Sequence, residues 1–269
     1  MYCSSKIISI VITVYNKAEF IEKTINSVLN QIERPKEVLI INDGSTDSSL
    51  DIMNKLELPE YFKVISTENH GVSSARNLGL KMSSANYVYF LDGDDLLEVN
   101  ALLVFKKAIL NNPNFTLYAS NRKTYLDTIK IKHVSSREFS FNDYLNYLTQ
   151  NKNLCWTSAV VVNKLISEKV IFNTEYSHGE DRDYFMRVLK LGNGFWINKT
   201  TAKYNKDLFG LSSKPINKNQ DLYWKNIINY KEEIKSTFSF RIYKLKYRSS
   251  NIINNLKFLK IKNAFSWLI

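Results

Sequence analysis

Cysteine and histidine are scarce in this chain. Cys3 and Cys155 are the two cysteines among 269 residues, and they make neither a disulfide framework nor zinc-ligand spacing. A reducing, cytoplasmic setting is the expectation. The three histidines, His70, His133 and His178, stand too far apart to form a metal motif by themselves. No apolar run approaches the roughly 20 residues that a membrane-spanning helix needs. The first residues carry one lysine and no small-residue cleavage pattern, so Ile7–Tyr15 reads as a first strand and not as a signal peptide. No G-x-G-x-x-G follows that strand, which argues against a dinucleotide cofactor, and no G-x-x-x-x-G-K-[ST] marks a phosphate-binding loop. Internal repeats and disordered linkers are lacking too. Negative charge is also short: 37 Lys and Arg against 26 Asp and Glu leave a formal charge of +11. Such a balance points to an anionic partner: a nucleotide, a nucleic acid or an anionic membrane surface.

What the chain does have is 44% hydrophobic residues, enough for a sizeable core, in a pattern of alternating strands and helices. Strands are expected at Ile7–Tyr15, Glu37–Asn42, Tyr61–Ser66 and Tyr87–Leu91. Helices are expected at Ala18–Gln31, from Asp47 or Ser48 to about Leu56, at Ala75–Met82 and at Glu98–Leu110. In the first of these, Ile21, Ile25, Val28 and Leu29 recur at helical spacing. This alternation predicts an α/β fold with a mostly parallel sheet. Further on the order loosens: strands are expected at Phe115–Ser120 and Ala159–Val162, and helices at Ser140–Leu148 and Glu180–Leu189. The last helix would turn Phe185, Val188 and Leu189 to the core.

The most informative stretch is Tyr-Val-Tyr-Phe-Leu-Asp-Gly-Asp-Asp at 87–95, an apolar run that ends in Asp92, Asp94 and Asp95. In an open α/β sheet, ligands bind at the carboxyl ends of strands. Three carboxylates this close repel one another unless a cation sits among them, and a hard divalent ion holding a phosphate meets that need; a solvated Asp-Gly turn is the plainer alternative. Thr13-Val14-Tyr15-Asn16 and Asn42-Asp43-Gly44-Ser45 close the first two strands, so three polar clusters should share one sheet edge. Tyr15 there suits stacking on a base, Asp43 suits accepting a base N–H, and Gly44 lets the backbone approach a ligand. Arg76 is read as beginning a helix, where the macrodipole disfavours a cation, so a bound anion, the Asp cluster or solvent must accommodate it. Glu180 and Asp181 open a later helix, where carboxylates are favoured; the functional alternative is a general base at a cleft.

Five stretches together resemble the family 2 glycosyltransferases of GT-A fold: Thr-Val-Tyr-Asn-Lys from residue 13, Ile-Asn-Asp-Gly-Ser-Thr-Asp-Ser at 41–48, Gly-Val-Ser-Ser-Ala-Arg-Asn at 71–77, Phe-Leu-Asp-Gly-Asp-Asp at 90–95 and Gly-Glu-Asp at 179–181. The resemblance covers residues 7–210. It implies a GT-A domain over 1–210, with a nucleotide-binding half to about 115 and an acceptor half at 116–210. It also implies a UDP-sugar donor and Mn²⁺ or Mg²⁺. Thr13, Tyr15, Asp43, Arg76, Asp92 and Asp94 would line the nucleotide pocket, with Asp94 and Asp95 nearest the metal. Asp181 would be the catalytic base, with Glu180 beside it. The implied reaction inverts the anomeric centre. A glucosyl donor and a lipid-linked saccharide acceptor in bacterial surface polysaccharide assembly, such as O-antigen or capsule, are expected. Two departures stand out. The chain has Asn42-Asp43 where the family often has two aspartates. It also lacks a late His near Gly210-Leu211-Ser212-Ser213, where Lys206 or Lys214 would have to serve.

Residues 231–269 are basic and aromatic, with nine Lys or Arg facing Glu232 and Glu233. A helix covering the core and a helix lying on an anionic membrane both fit, the latter placing the protein on the cytoplasmic face of the inner membrane. A metal-dependent nucleotidyltransferase and a non-catalytic nucleic-acid-binding protein are the other function classes. Carboxylates gathered at strand ends argue against a nucleic-acid groove.

Overall fold

The computed structural model describes residues 7–124, 135–149, 153–175 and 178–205. The basic stretch 231–269, Lys206, Lys214 and the boundary near 210 lie outside the described residues.

The described chain forms one sheet of nine strands in the order β3-β2-β1-β4-β8-β6-β9-β5, with β7 pairing on β9. Strands β1 (Ile8–Val14), β2 (Glu37–Asp43), β3 (Phe62–Thr67) and β4 (Tyr87–Asp92) come first in the chain. All three of their pairings are parallel. Helices α1 (Ile21–Leu29), α2 (Ser49–Lys55) and α3 (Val72–Met82) connect them. Beyond β4 the sheet is no longer mostly parallel. Strand β8 (Val160–Asn163) runs antiparallel to both β4 and β6 (Leu117–Thr124). Strand β9 (Gly194–Tyr204) is parallel to β6 and antiparallel to β5 (Leu96–Leu97) and β7 (Arg137–Phe139). The expected strand at 115–120 thus starts two residues later and runs on to Thr124. Strand β9 was not expected, because its alternation is broken by Asn198-Lys199-Thr200. Helices α4 (Ala101–Asn111), α5 (Phe141–Thr149), α6 (Lys164–Ser167) and α7 (Glu180–Leu189) complete the order.

Strands β1 and β2 are buried along their whole length, as parallel strands with both faces covered must be. Their side chains alternate between two cores. Ile10, Ile12, Val38 and Ile40 pack with Ile21, Ile25 and Val28 of α1 and with Leu102 and Phe105 of α4. Val11, Leu39 and Ile41 pack on the opposite face with Ala75 and Leu80 of α3, Tyr144 and Leu145 of α5, and Tyr184, Phe185 and Val188 of α7. Apolar periodicity therefore located the helices, while the sheet decided which face each helix covers.

Helix α3 starts at Val72, three residues before the expected start. Gly71 precedes it at φ 88°, a conformation that favours glycine. The Asp43 carboxylate at the end of β2 accepts the N–H groups of His70 and Gly71, both at 2.9 Å, so the strand end anchors the helix start. Asn77 then ties α3 to the later chain: its amide donates to the Phe172 carbonyl at 2.8 Å and accepts the Phe172 N–H at 2.8 Å.

Gly79 is the point of closest contact between α3 and β1. A Cβ there would lie 2.2 Å from Val11 Cγ1 and 2.9 Å from Val11 Cγ2. Gly79→Ala is expected to destabilise the protein by about 1–3 kcal/mol through overpacking, despite alanine's better helix propensity. Urea denaturation checks this, and the loss should shrink when Val11→Ala is added to make room.

Candidate active site

The carboxyl ends of β1, β2 and β4 meet on one edge, with Thr13 opposite Asp92 and Val14 opposite Asn42 in the ladders. The three polar clusters do share that edge. Thr13 is buried, and its carbonyl accepts the Gly93 N–H at 3.0 Å. A Cβ on Gly93 would sit 2.9 Å from that carbonyl, so the β4 turn can close only on glycine. Tyr15 is exposed at the rim. Asn16, at φ 52°, accepts the Thr46 N–H at 2.8 Å and the Asp47 N–H at 3.3 Å, lacing the loops after β1 and β2 together.

Two readings at the β2 end change. Asp43 is buried, and each of its carboxylate oxygens already accepts a backbone N–H, so its first task is holding the start of α3. Each oxygen retains a second lone pair with which to accept from a ligand. The room that Gly44 provides, at φ 66°, is used by Asn69, whose N would lie 2.6 Å from an added Cβ, and not kept for a ligand.

Arg76 sits deeper in its helix than expected, and of the partners weighed for it the Asp cluster supplies one, Asp92. The arginine lies a full turn inside α3, buried and turned away from solvent. Its Nη2 donates to Asp92 Oδ1 at 2.9 Å and its Nη1 to Glu180 Oε1 at 3.0 Å. One guanidinium thus joins the end of β4 to the first turn of α7, across 104 residues of sequence between Arg76 and Glu180. Burial works against the charged form, but Asp92 and Glu180 outweigh it and raise the arginine's pKa. The ring of Phe172 lies 5.4 Å from the guanidinium carbon, and Phe172 stacks on Tyr184 of α7 at 3.8 Å.

The Asp94 side chain is largely buried and pairs with Lys17 Nζ. Lys17 belongs to the first motif but had drawn no role; the signal was a lysine directly after the strand-one turn. Asp95 faces inward at 2% exposure, and its Oδ1 accepts the Asn205 N–H at 2.9 Å. The Asp92 N–H donates to Ser158 Oγ at 3.2 Å, so the turn at Thr157–Ala159 packs against the end of β4. Burial pushes the Asp94 carboxyl up, and Asp92 adds to the rise while Lys17 opposes it. Burial, then Asp92 and Asp94, hold Asp95 well above the usual range. Ionising all three carboxyls would therefore leave negative charge that Lys17 and Arg76 do not offset.

That surplus fits a hard divalent cation. Among the described residues no three His, Cys, Asp or Glu side chains are gathered as a ready ligand set. Asp94, with an ion held largely by water and substrate phosphate, matches the way Mg²⁺ binds through one or two carboxylates.

Helix α7 begins after Gly179 at φ 74°, with Glu180, Asp181 and Asp183 in its first turn. Glu180 faces Arg76. Asp181 is partly exposed, and its Oδ1 accepts the Arg182 N–H at 2.7 Å. Burial and then Asp181 raise the Glu180 carboxyl to about 7, against the lowering by Arg76.

The sequence profile described as "Glycosyl transferase family 2" matches residues 9–170. The chain is 30% identical over 208 residues to a chondroitin synthase of Pasteurella multocida, covering 76% of this chain and 21% of that protein. It is 29% identical over 244 residues to an uncharacterized glycosyltransferase of Haemophilus influenzae, covering 88% of this chain and 94% of that one. The chain thus spans about a fifth of the length of the longer relatives it matches. Its fold is similar to that of S. aureus TarS, crystallised in complex with UDP-GlcNAc, with a TM-score of 0.68 and 18% identity over 93% of this chain and 73% of that one.

Two stability effects follow from the Arg76 bridge. Arg76→Met leaves the half-buried Asp92 and Glu180 carboxylates without their common partner and should cost up to about 3–5 kcal/mol in urea denaturation. Folding raises the Glu180 pKa from 4.5 to about 7, so the folded state holds a proton there that the unfolded state has lost. The stability this confers is complete below pH 4.5 and fades as pH rises to about 7, by at most about 1.4 kcal/mol per pH unit. Glu180→Gln should remove that share of the slope, as read from urea midpoints at pH 5 and pH 7.5.

Proposed function

The chain belongs to glycosyl transferase family 2, and from that premise we propose that it is an inverting hexosyltransferase. In this reading it moves a hexose, with glucose the first candidate, from a UDP-sugar to a hydroxyl of a lipid-linked saccharide in bacterial surface polysaccharide assembly. The observation that carries the proposal is the bridge made by Arg76. It holds the acidic end of β4 beside the acidic start of α7, which supports reading the one as a diphosphate-binding edge and the other as the source of a base. Membership of the family also favours a sugar transferase over a nucleotidyltransferase or a nucleic-acid-binding protein.

Each residue then has a task. Tyr15, exposed at the rim, stacks on the uracil, while Thr13 and Asp43 border it from the ends of β1 and β2. Asp92 and Asp94 face the ribose and the diphosphate. Lys17 moves from Asp94 to the phosphates as the donor enters. Arg76 stays paired and keeps Asp92 and Glu180 in place. A divalent ion held by Asp94, with Asp95 behind it, would supply charge neutralisation for the departing diphosphate. Asp181 takes the proton of the acceptor hydroxyl as that oxygen attacks the anomeric carbon and the bond to the diphosphate breaks. A single in-line displacement inverts the centre. Contact with the inner membrane surface would come through residues 231–269, whose charge suits anionic lipid.

A screen of UDP-glucose, UDP-galactose and their N-acetyl forms with Mn²⁺, read as UDP release with and without a lipid-linked acceptor, tests the reaction class. Asp181→Asn should bind UDP normally and lose about 10²–10⁴-fold in transfer; transfer at the parental rate would sink the assignment of the base. Asp94→Asn should weaken UDP binding in the presence of Mn²⁺ and leave metal-free binding nearly unchanged, as calorimetry would show.

A further inference from the structure

A second guanidinium stands near the site in a different condition. Arg122 lies near the end of β6, after two register slips against β9, at Ser120/Asn121 and at Asn121/Arg122. Such irregularities re-aim side chains and recur beside active sites. Here they set Arg122 between two rings: its guanidinium carbon is 3.5 Å from the Trp156 centroid and 3.9 Å from the Tyr204 centroid. Both flat faces are covered, so any further partner must approach the edge, where all the N–H donors lie. That edge is the fork that grips a carboxylate or phosphate with two parallel hydrogen bonds.

The edge lacks such a partner among the described residues. Nε is buried and has no hydrogen bond. Asp95, Asp181 and Asp92 act on Arg122 through their charge alone, together with Tyr204, and they fall short of what burial costs: the arginine's pKa is lowered. Arg76 meets the same cost with two carboxylates at 2.9 and 3.0 Å. Arg76 is buried and Arg122 half-buried, and Nε lacks a hydrogen bond in both, so the difference lies in their Nη atoms. Arg76 is paired within the protein, and Arg122 is held rigid with its binding edge open. Trp156 precedes the turn that touches Asp92 through Ser158, and Tyr204 precedes Asn205, which donates to Asp95. The clamp is therefore built from segments that also shape the acidic end of β4. It stands on the far side of β4 and β8 from β1, β2 and β3, away from the strand ends that would read the base.

We propose that Arg122 is a specificity residue that grips an anionic group, a carboxylate or a phosphate, on the sugar acceptor. The assignment to the acceptor rests on the transferase reading; the capture of an anion does not. A uronic acid or a sugar phosphate next to the reacting hydroxyl would supply the group. With the rings fixing the guanidinium, little side-chain freedom is lost on binding.

The test is calorimetric titration of the full chain, at constant ionic strength, with glucuronate, with glycerol 1-phosphate and with glucose as the neutral control. One anion or both should bind where glucose does not, and the arm that binds tells carboxylate from phosphate. Arg122→Gln should weaken that binding by about tenfold or more, and Arg122→Lys should restore part of it, while UDP affinity serves as the check that both variants are folded. Saturating UDP should leave the anion bound. Three results would overturn the proposal: no preference for either anion over glucose, anion binding that survives Arg122→Gln, or displacement of the anion by UDP, which would move Arg122 to the donor diphosphate. Failure of the transferase reading would appear separately, as absent UDP binding and absent UDP release, and would leave the anion titrations readable.

Discussion

A positive charge inside the protein must be paired, and Arg76 is where that requirement organises this fold. Its guanidinium is almost fully buried, so leaving it alone would cost several kcal/mol. The two carboxylates that satisfy it come from elements far apart in sequence, Asp92 at the end of β4 and Glu180 at the start of α7. Neither could shift without stranding the charge. The neighbouring residue reinforces the constraint, since Asn77 exchanges two hydrogen bonds with the backbone of Phe172. Phe172 in turn packs between Arg76 and Tyr184. One turn of α3 therefore fixes the later half of the chain against the earlier half.

Around this bridge the charges are arranged unevenly. Asp94 and Asp95 sit in surroundings that leave their carboxyls reluctant to ionise. A cation arriving with a diphosphate would relieve that cluster, while a neutral ligand would not. On the other side of β4 lies the reverse imbalance, the ring-clamped Arg122 whose charge is under-compensated. A cation would relieve the first imbalance and an anion the second, so the two sides of β4 suit ligand groups of opposite charge. Fixed charges of this kind cost no reorganisation when a reaction occurs.

Much of the early fold was legible because its signals are local. An apolar run bounded by turn residues located β1, β2 and β4, and helical periodicity located α1. The sharing of one edge by three polar clusters followed from parallel pairing. The later half was harder to read. Strand β9 pairs with three different strands and carries a bulge, so its alternation is broken where it matters. Among the site residues, Asp92, Asp94, Asp95, Glu180 and Asp181 were legible as carboxylates placed at element ends. Lys17 and Arg122 were not, because a single basic residue has no local pattern that separates a solvated side chain from an engaged one.

The order of residues along the chain was enough to determine which groups are chemically available and which strand ends carry them, since both follow from hydrophobic period and residue type. Only the folded arrangement decided what each group is occupied with. Asp43 is taken up by the start of α3, Gly44 yields its space to Asn69, Arg76 is turned inward, and Asp95 is directed to Asn205. Those outcomes depend on distances between segments remote in sequence and on how much water each position excludes. For that reason the acidic run at 92–95 separates, in the structure, into one carboxylate held by Arg76, one paired with Lys17 and one fully buried.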